Sequence, residues 1–418
     1  IKRRRLANAH RYNQENKMPG YEWIGDKERE QVNQVFDTGI LFRYEFKNER
    51  NGVYKVREFE EKFAAFNGTP YAQAVTSGTA ALKVAMAALG IQPGDEIITQ
   101  GFTFIATFEA IIEAGAIPVP CEIDDTLNLD PEDFRKKITQ KTAAVIPVHM
   151  LGSPARINEI IQIASQKGIK VLEDTAQALG ASVNGKKVGS IGHAGTFSFD
   201  FYKTITTGEG GMVITNDQNT YVRASEYADH GHDHNPAVGR ALEGRSFLGF
   251  NYRMNEMQGA VGLAQLERLP EILKVQKNNQ EKIRSLLGSI KNIELRALPE
   301  GAQDSHTHLC FFLPDSNKTL EFHKRLTSNG VSAIHFQNNL WHFLPNWEHL
   351  IGQKTAWPGC FPFGKPYCQS EISYSPDMLP RSADYLSRTI VLPISLKLDR
   401  ASIDRICNEI ENISRDIL

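Results

Sequence analysis

Lys203 is the residue of this sequence whose surroundings best suit covalent chemistry. Apolar residues precede it and glycines follow it in the stretch Thr196-Phe197-Ser198-Phe199-Asp200-Phe201-Tyr202-Lys203-Thr204-Ile205-Thr206-Thr207-Gly208-Glu209-Gly210-Gly211. A lysine in a loop is usually a solvated charge. Apolar neighbours can instead desolvate its ammonium group and lower its pKa, which a lysine that forms a Schiff base requires. Ser198, five residues earlier, offers a hydroxyl group to a phosphate oxygen.

The turn Thr76-Ser77-Gly78-Thr79 could bind that phosphate. It runs directly into the alanine-rich stretch Thr79–Leu89, whose composition predicts a buried helix. The first N–H groups of a helix and the positive end of its dipole attract an anion. The same residues would equally make a simple helix cap, with Ser77 or Thr79 as the capping side chain, so both interpretations stand.

Asp174 ends the apolar stretch Lys170–Asp174, which predicts a buried strand. A carboxylate at that depth is costly unless it has a partner. The protonated pyridine nitrogen of a cofactor is one suitable partner, because a carboxylate there keeps the ring an electron sink. A helix N-terminus or a neighbouring arginine would serve equally well.

Short apolar strands alternate with helices from about residue 70 to residue 217, which predicts an α/β domain with a mostly parallel sheet. Ligands bind such sheets at the carboxyl ends of the strands. The segments at these ends are Gln100–Thr103, His149, Glu173-Asp174 and Ser198–Gly211. Further helices are expected at 219–230 and 254–290, with Pro270 at a helix boundary.

A smaller α+β unit is expected near the end of the chain. Its predicted strands are Leu309–Leu313, Val331–His335 and Thr389–Leu392. We therefore divide the chain into an N-terminal arm with the first helix (1–40), a large domain (41–290) and a small C-terminal domain (291–418). Residues 336–385 form a long loop region rich in Pro, Gly, Trp and Tyr, and such loops are often functional.

The overall composition argues against several classes of protein. The net charge of -2 gives no basis for binding nucleic acid or an anionic membrane. No stretch approaches the roughly 20 apolar residues of a membrane span, and the basic run Lys2–Arg5 is typical of a solvated arm. The five scattered cysteines fit reduced thiols, so we expect a soluble cytoplasmic protein.

We expect no metal site. His232 and His234 lie one residue apart in the polar loop Asp229–Asn235, and that spacing is weak support for a metal. Cys360 and Cys368 are equally unconvincing as ligands.

Taken together and in order, four segments resemble the DegT/StrS-type sugar aminotransferases, which depend on pyridoxal phosphate. The segments are Ser77-Gly78-Thr79, Glu173-Asp174-Thr175-Ala176-Gln177, Ser198–Gly211 around Lys203, and Gly249-Phe250-Asn251-Tyr252-Arg253-Met254. The likeness covers roughly residues 20–418 and implies the type I pyridoxal-phosphate fold, which is that of aspartate aminotransferase. One departure is that many relatives carry His where Asp200 stands.

The resemblance implies a role for each matching residue. Lys203 would bind the cofactor covalently and move the proton during transamination, while Asp174 would pair with the ring nitrogen. The other implied cofactor contacts are Gln177 on the ring hydroxyl oxygen, Phe104 on the ring face, and Gly78, Thr79 and Ser198 on the phosphate. Asn251 resembles a residue that reaches the phosphate from a second subunit, which implies a homodimer with shared active sites.

The implied reaction transfers an amino group from L-glutamate to a keto or aldehyde group of a sugar. A dehydrating branch of the fold has His in place of the lysine, so Lys203 favours amine transfer. Arg253 is the candidate for the donor carboxylate, and His232 and His234 are candidates for the sugar.

The acceptor is open between two sugar classes. Met18-Pro19-Gly20-Tyr21-Glu22 and Leu41-Phe42-Arg43-Tyr44 are similar to a subgroup that aminates 3,8-dideoxy-8-oxo-manno-octulosonate for lipopolysaccharide. The alternatives are a nucleotide-linked 4-keto or 3-keto hexose and, from another class, a non-catalytic regulator that binds pyridoxal phosphate.

Overall fold

The computed structural model describes residues 19–356, 359, 361–365 and 373–418. The basic run Lys2–Arg5 and the cysteines Cys360 and Cys368 lie outside the described residues. The strands, in chain order, are β1 Tyr71–Val75, β2 Glu96–Gln100, β3 Ile117–Cys121, β4 Thr142–Ile146, β5 Lys170–Asp174, β6 Ser182–Val183, β7 Lys186–Lys187, β8 Ala194–Ser198, β9 Gly211–Thr215, β10 Glu294–Leu295, β11 Ala302–Gln303, β12 His308–Phe312 and β13 Thr389–Pro393.

A seven-stranded sheet organises the larger part of the molecule, in the order β1-β9-β8-β5-β4-β2-β3. Neighbours from β8 to β3 pair in parallel, whereas β9 pairs antiparallel with both β8 and β1. Most of the strand residues are buried, as expected for a sheet covered on both faces. The expected α/β fold with a mostly parallel sheet is confirmed.

Helices connect the strands and cover the sheet. The α-helices are Asp26–Thr38, Lys55–Asn67, Gly78–Ala88, Ala106–Glu113, Pro131–Lys137, Ile157–Ser165, Gln218–Tyr227, Glu256–Ser289, Ser316–Ser328, Glu348–Ile351, Pro380–Ser387 and Arg400–Ile417. Short 3-10 helices lie at Pro19–Trp23, Met150–Gly152, Arg240–Leu242 and Leu344–Asn346. No helix among the described residues is long and apolar enough to cross a membrane.

The helix Glu256–Ser289 contains Pro270 in its interior, so the expected boundary at this proline is wrong. A proline inside a helix costs about 3 kcal/mol, because it removes a hydrogen bond and clashes with the preceding turn. Here the helix continues through it because both flanks are buried, with Leu269 before it and Ile272 after it in one apolar core. Tertiary packing therefore outweighs the local preference.

The C-terminal part contains the antiparallel sheet β10-β12-β13, on which the helices Ser316–Ser328 and Arg400–Ile417 pack. The strand expected at Val331–His335 is wrong. That segment makes a single bridge, between Ile334 and Val391, at the edge of the sheet. Val331 and Ala333 are buried against the neighbouring helices, and this burial produces the same alternating pattern that a strand would.

Residues 336–347 join the small unit to the large sheet. The main-chain N–H groups of Thr103 and Ile105 donate to the carbonyl oxygens of His342 and Trp341, each at 3.0 Å. The N–H of Leu344 donates back to Gly101 at 2.9 Å. This part of the region expected to be a long loop therefore lies against the segment that follows β2, beside the carboxyl ends of the parallel strands.

Candidate active site

A cavity of about 440 Å³ lies at the carboxyl ends of the central strands. Of the eight residues with expected cofactor roles, all but Asn251 line this cavity: Gly78, Thr79, Phe104, Asp174, Gln177, Ser198 and Lys203. Their roles remain predictions, but the fold brings them to one place. It does so because parallel strands end at the same edge of the sheet.

Lys203 is half-buried in this cavity. Burial lowers the pKa of its ammonium group, and the nearby carboxylates of Asp200, Asp174 and Glu209 oppose that shift without cancelling it. The Nζ atom lies 5.9 Å from the centroid of the Phe104 ring. A lysine in this state has a larger neutral fraction at a given pH than a solvated one, which is what a nucleophilic amine needs.

Asp174 is buried and its carboxyl group accepts two hydrogen bonds. Oδ2 accepts from the Thr107 hydroxyl at 2.9 Å, and Oδ1 accepts from the Ala176 N–H at 3.1 Å. Burial raises the pKa of Asp174 despite these bonds. No Lys, Arg or His within the described ranges forms an ion pair with it, so it suits a cationic ring nitrogen in the cavity.

The turn before the helix Gly78–Ala88 confirms the helix cap, while phosphate binding there remains a prediction. Ser77 is the helix cap, since its hydroxyl accepts from the Ala80 N–H at 3.1 Å. A Cβ atom on Gly78 would lie 2.7 Å from Cβ of Ser198, and one on Gly211 would lie 2.2 Å from the carbonyl oxygen of Ser77. The two glycines thus allow the helix start and the Ser198 hydroxyl to meet closely in a cradle of donors.

Gln177 and Phe104 complete the expected set. The side-chain oxygen of Gln177 accepts from the Leu151 N–H at 3.1 Å, which leaves the amide nitrogen as its donor group. Phe104 is 37% exposed, because one face borders the cavity. A lysine, a buried carboxylate, an aromatic face and a phosphate cradle together fit pyridoxal phosphate.

Sequence reasoning missed four cavity residues from the C-terminal part, namely His308, Phe336, Trp341 and His342. Trp341 stacks on Phe104 with ring centroids 6.0 Å apart and planes 8° apart. Burial lowers the pKa of His308 and of His342 to about 3, so both imidazoles are neutral. The unusual composition of 336–385 was the only signal for three of them, and composition does not show what the segment contacts.

Four predicted residues lie elsewhere in the chain. Asn251 is exposed, and His232, His234 and Arg253 belong to a group that we call the Asp229 cluster. The members of this cluster are Asp229, His232, His234, Arg240, Glu243 and Arg253. The structure therefore does not bring the expected substrate residues to the Lys203 cavity of the same chain.

The Asp229 cluster is held by its own charges. Arg240 and Arg253 donate to the same Asp229 oxygen at 2.5 and 2.7 Å, and Asp229 is 0% exposed. Burial acts to raise the pKa of Asp229, but the hydrogen bonds from the two arginines outweigh it and the pKa lies below its ordinary value. His232 contacts Glu243 at 2.6 Å.

Metal binding depends on how the His, Cys, Asp and Glu side chains of the described ranges are grouped. Within these ranges no three His, Cys, Asp or Glu side chains are arranged to hold a metal ion. The histidines His232 and His234 instead contact carboxylates, at 2.6 Å from Glu243 and 3.7 Å from Asp229 respectively.

Comparison with known proteins identifies the family. A profile of the DegT/DnrJ/EryC1/StrS aminotransferase family matches residues 24–359. GDP-perosamine synthase of Vibrio cholerae is 34% identical over 348 residues, which cover 82% of this chain and 90% of that protein. The spore coat polysaccharide biosynthesis protein SpsC of Bacillus subtilis is 31% identical over 93% of this chain and 95% of that protein.

Solved structures of similar proteins have the same fold as this chain. An aminotransferase from Psychrobacter cryohalolentis superposes with a TM-score of 0.79 at 26% identity, covering 94% of this chain and 98% of that one. 3-Amino-5-hydroxybenzoic acid synthase superposes with a TM-score of 0.77 at 28% identity, covering 96% and 99%. The type I fold, the pyridoxal phosphate cofactor and the aminotransferase activity expected from the resemblance are confirmed. The chain belongs to the DegT/DnrJ/EryC1/StrS family of pyridoxal-phosphate-dependent aminotransferases.

Proposed function

We propose that this sugar aminotransferase takes its amino group from L-glutamate and uses Lys203 as its catalytic residue. The observation that carries the proposal is the half-buried lysine with a lowered pKa, in one cavity with a buried carboxylate and a phosphate cradle. Pyridoxal phosphate, when bound, supplies the ring that withdraws electrons from the reacting carbon. The protein's own residues then have to hold that ring and move a proton.

Each cavity residue has a physical task in this proposal. Asp174, held by Thr107 and Ala176, would keep the ring nitrogen protonated. The N–H groups of Gly78 and Thr79 and the Ser198 hydroxyl would hold the phosphate. Phe104 would cover one face of the ring, and Gln177 would donate to its hydroxyl oxygen.

Lys203 would act twice in the reaction. The Nζ atom would first bind the cofactor and would then, as the free amine, take a proton from the α-carbon of glutamate. In the second half of the reaction it would donate a proton to the acceptor carbon that receives the amino group. The lowered pKa favours this role because more of the amine is neutral and able to accept the proton.

We infer a homodimer in which the Asp229 cluster and Asn251 of one chain serve the cavity of the other. Asn251 is exposed, and the loop before it presents apolar side chains to solvent: Leu242 is 78% exposed and Leu248 is 93% exposed. Exposed apolar groups of this size favour a protein contact. Arg253 would then bind the carboxylate of glutamate, and His232 and His234 would contact the sugar.

For the acceptor we propose 3,8-dideoxy-8-oxo-manno-octulosonate, aminated at its aldehyde for lipopolysaccharide. Both stretches that resemble this subgroup contact functional segments. The Gly20 N–H donates to the carbonyl oxygen of Lys203, and the Tyr44 ring stacks on His234 at 5.2 Å. We place the reaction in the cytoplasm, because the free thiols Cys121 and Cys310 suit a reducing compartment.

A nucleotide-linked 4-keto or 3-keto hexose is the second candidate, favoured by the 34% identity to GDP-perosamine synthase. The test is a competition among acid-sugar aldehydes and nucleotide-linked keto-hexoses, with holoenzyme, L-glutamate and detection of 2-oxoglutarate. We expect the octulosonate to have the highest kcat/KM, by about tenfold or more. A higher kcat/KM for a nucleotide-linked hexose would replace the first candidate by the second.

Adding L-glutamate to the holoenzyme without an acceptor tests both the proposed amino donor and the hypothesis of a non-catalytic regulator. It should shift the visible absorption band of the holoenzyme to shorter wavelength in the absence of acceptor. If L-glutamine does so and L-glutamate does not, the proposed donor is wrong. If no amino donor changes the band, the protein is a regulator that binds pyridoxal phosphate.

A further inference from the structure

The segment Gly20–Glu22, which we call the N-terminal strap, contacts the loop that carries Lys203. The Gly20 N–H donates to the carbonyl oxygen of Lys203 itself, at 3.0 Å. The Tyr21 ring stacks on Phe201, with centroids 4.8 Å apart and planes 23° apart. The strap therefore contacts the lysine loop both at the lysine and two residues before it.

Gly20 is packed too closely for any side chain. A Cβ atom there would lie 2.7 Å from the Lys203 carbonyl oxygen, 2.9 Å from Cα of Ile205 and 2.9 Å from the Thr206 nitrogen. All three are main-chain atoms, so they cannot move aside without displacing the lysine loop. The close approach fixes the distance between the strap and the main chain of Lys203.

The other end of the strap is tied to the C-terminal part of the molecule. The two oxygens of the Glu22 carboxylate accept from the Ser395 hydroxyl and from the Leu396 N–H, both at 2.7 Å. Ser395 and Leu396 lie two and three residues after the end of β13. One residue earlier, the Ile394 N–H donates to Thr307 at 2.9 Å, next to His308 in the cavity wall.

We propose that Gly20, Tyr21 and Glu22 are positioning residues that couple the main chain of Lys203 to the small-sheet wall of the cavity. Through these contacts the position of the Lys203 amine relative to His308 depends on the Glu22 carboxylate. Glu22 is remote in sequence from both Lys203 and His308. The match to the family profile, at residues 24–359, includes neither the strap nor Ser395 and Leu396. The functional part of this inference rests on the proposed role of Lys203.

Hydrogen–deuterium exchange of the cofactor-free full chain tests the coupling without assuming any role for Lys203. In Glu22→Ala, peptides covering 199–208 should exchange roughly tenfold faster than in the wild type, because hydrogen bonds to a charged group are lost at the far end of the strap. The matched control is Glu30→Ala, an exposed glutamate on the next helix, which should leave these peptides unchanged. Unchanged exchange at 199–208 in a folded Glu22→Ala protein overturns the proposal.

A second variant and a second readout keep the test decisive. Glu22→Gln retains an oxygen for the Leu396 N–H, so it should fold if Glu22→Ala does not and should show a smaller increase at 199–208. With pyridoxal phosphate bound, both variants should shift the pH midpoint of the visible absorption band, which a merely structural arm would leave in place. If exchange changes and the protein never becomes coloured, the coupling stands and the proposed role of Lys203 fails.

Discussion

Ionisable groups are arranged in opposite ways in the Lys203 cavity and in the Asp229 cluster. In the cavity, burial lowers the pKa of Lys203, raises that of Asp174 and lowers that of His308 to about 3, so each group is moved toward its neutral form. In the cluster, two arginines bind one carboxylate and the pKa of Asp229 falls below its ordinary value. The cavity leaves its groups ready for a ligand, whereas the cluster pairs its charges within the chain.

This difference has an energetic reason. A buried ionisable group without a counter-ion destabilises the folded protein, and such groups persist where a ligand or a reaction uses them. A paired group loses little by burial and gives a fixed geometry to its partners. The cavity therefore suits chemistry, and the Asp229 cluster suits the presentation of Arg253 and its neighbours at a surface.

The largest expected effect separates Lys203 from Lys187, another half-buried lysine with a lowered pKa. In Lys203→Ala the yellow colour with pyridoxal phosphate should be lost, and transfer should fall by about 10³-fold or more, since proton transfer by a positioned side chain alone contributes roughly 10²–10⁴-fold. Absorbance spectroscopy and borohydride labelling of the lysine peptide measure both. Lys187→Ala is the matched control, because burial also lowers the pKa of Lys187 and it lies outside the cavity lining. Colour and turnover retained by Lys203→Ala would remove the basis of the comparison.

A complementation experiment tests whether the two regions work together across a dimer. Lys203→Ala and Asn251→Ala chains should each be poorly active alone. Random mixing should restore about a quarter of wild-type activity, because about half of the dimers are mixed and each has one complete site. Activity after mixing is the measurement. No recovery in a sample shown by native mass spectrometry to contain mixed dimers would mean that each chain works alone.

The smallest expected effect concerns stability. Because its pKa is lowered in the folded state, the charged form of Lys203 destabilises the cofactor-free protein below that pKa, and the cost disappears as the pH rises to the ordinary value of 10.5. Lys203→Met should therefore raise the free energy of unfolding by about 1 kcal/mol at pH 7 and by less at pH 10. Urea unfolding at both pH values measures this.

The same substitution at Lys187 provides the contrast. Its Nζ donates to the Gly180 carbonyl at 2.9 Å, so Lys187→Met loses a hydrogen bond and should not stabilise the protein. Equal stabilisation by both substitutions would show that the effect belongs to any half-buried lysine and not to the cavity.

The sequence was sufficient to predict that the residues at the ends of the parallel strands lie together in one cavity. Asp174 and Ser198 lie on β5 and β8, and Gly78 lies at the start of the helix after β1, so local patterns and one topological rule bring them together. The cavity residues of the C-terminal part could not be predicted from local patterns and the topological rule. His308 and Trp341 reach the cavity through long-range docking, and no local pattern encodes what a distant segment contacts.

Two element assignments failed for a related reason. Pro270 and Val331–His335 were interpreted from local chemistry, and tertiary packing determined both outcomes. The sequence did not predict where the Asp229 cluster lies, because the charged side chains of this loop can form ion pairs with one another instead of with a ligand. Its pairing of Asp229 with Arg240 and Arg253 depends on geometry that residue types alone do not give.

The docking of Trp341 and His342 onto the large sheet has a consequence for how this enzyme can diversify. The contacts to Thr103 and Ile105 are made by main-chain carbonyl oxygens, which every amino acid possesses. The Trp341 side chain, which is 51% exposed, can therefore be exchanged while this segment stays attached, whereas the His342 side chain is buried and its Nδ1 lies 3.2 Å from the side-chain oxygen of Asn339. A library confined to position 341 would change the shape and polarity of the cavity wall without rebuilding the scaffold.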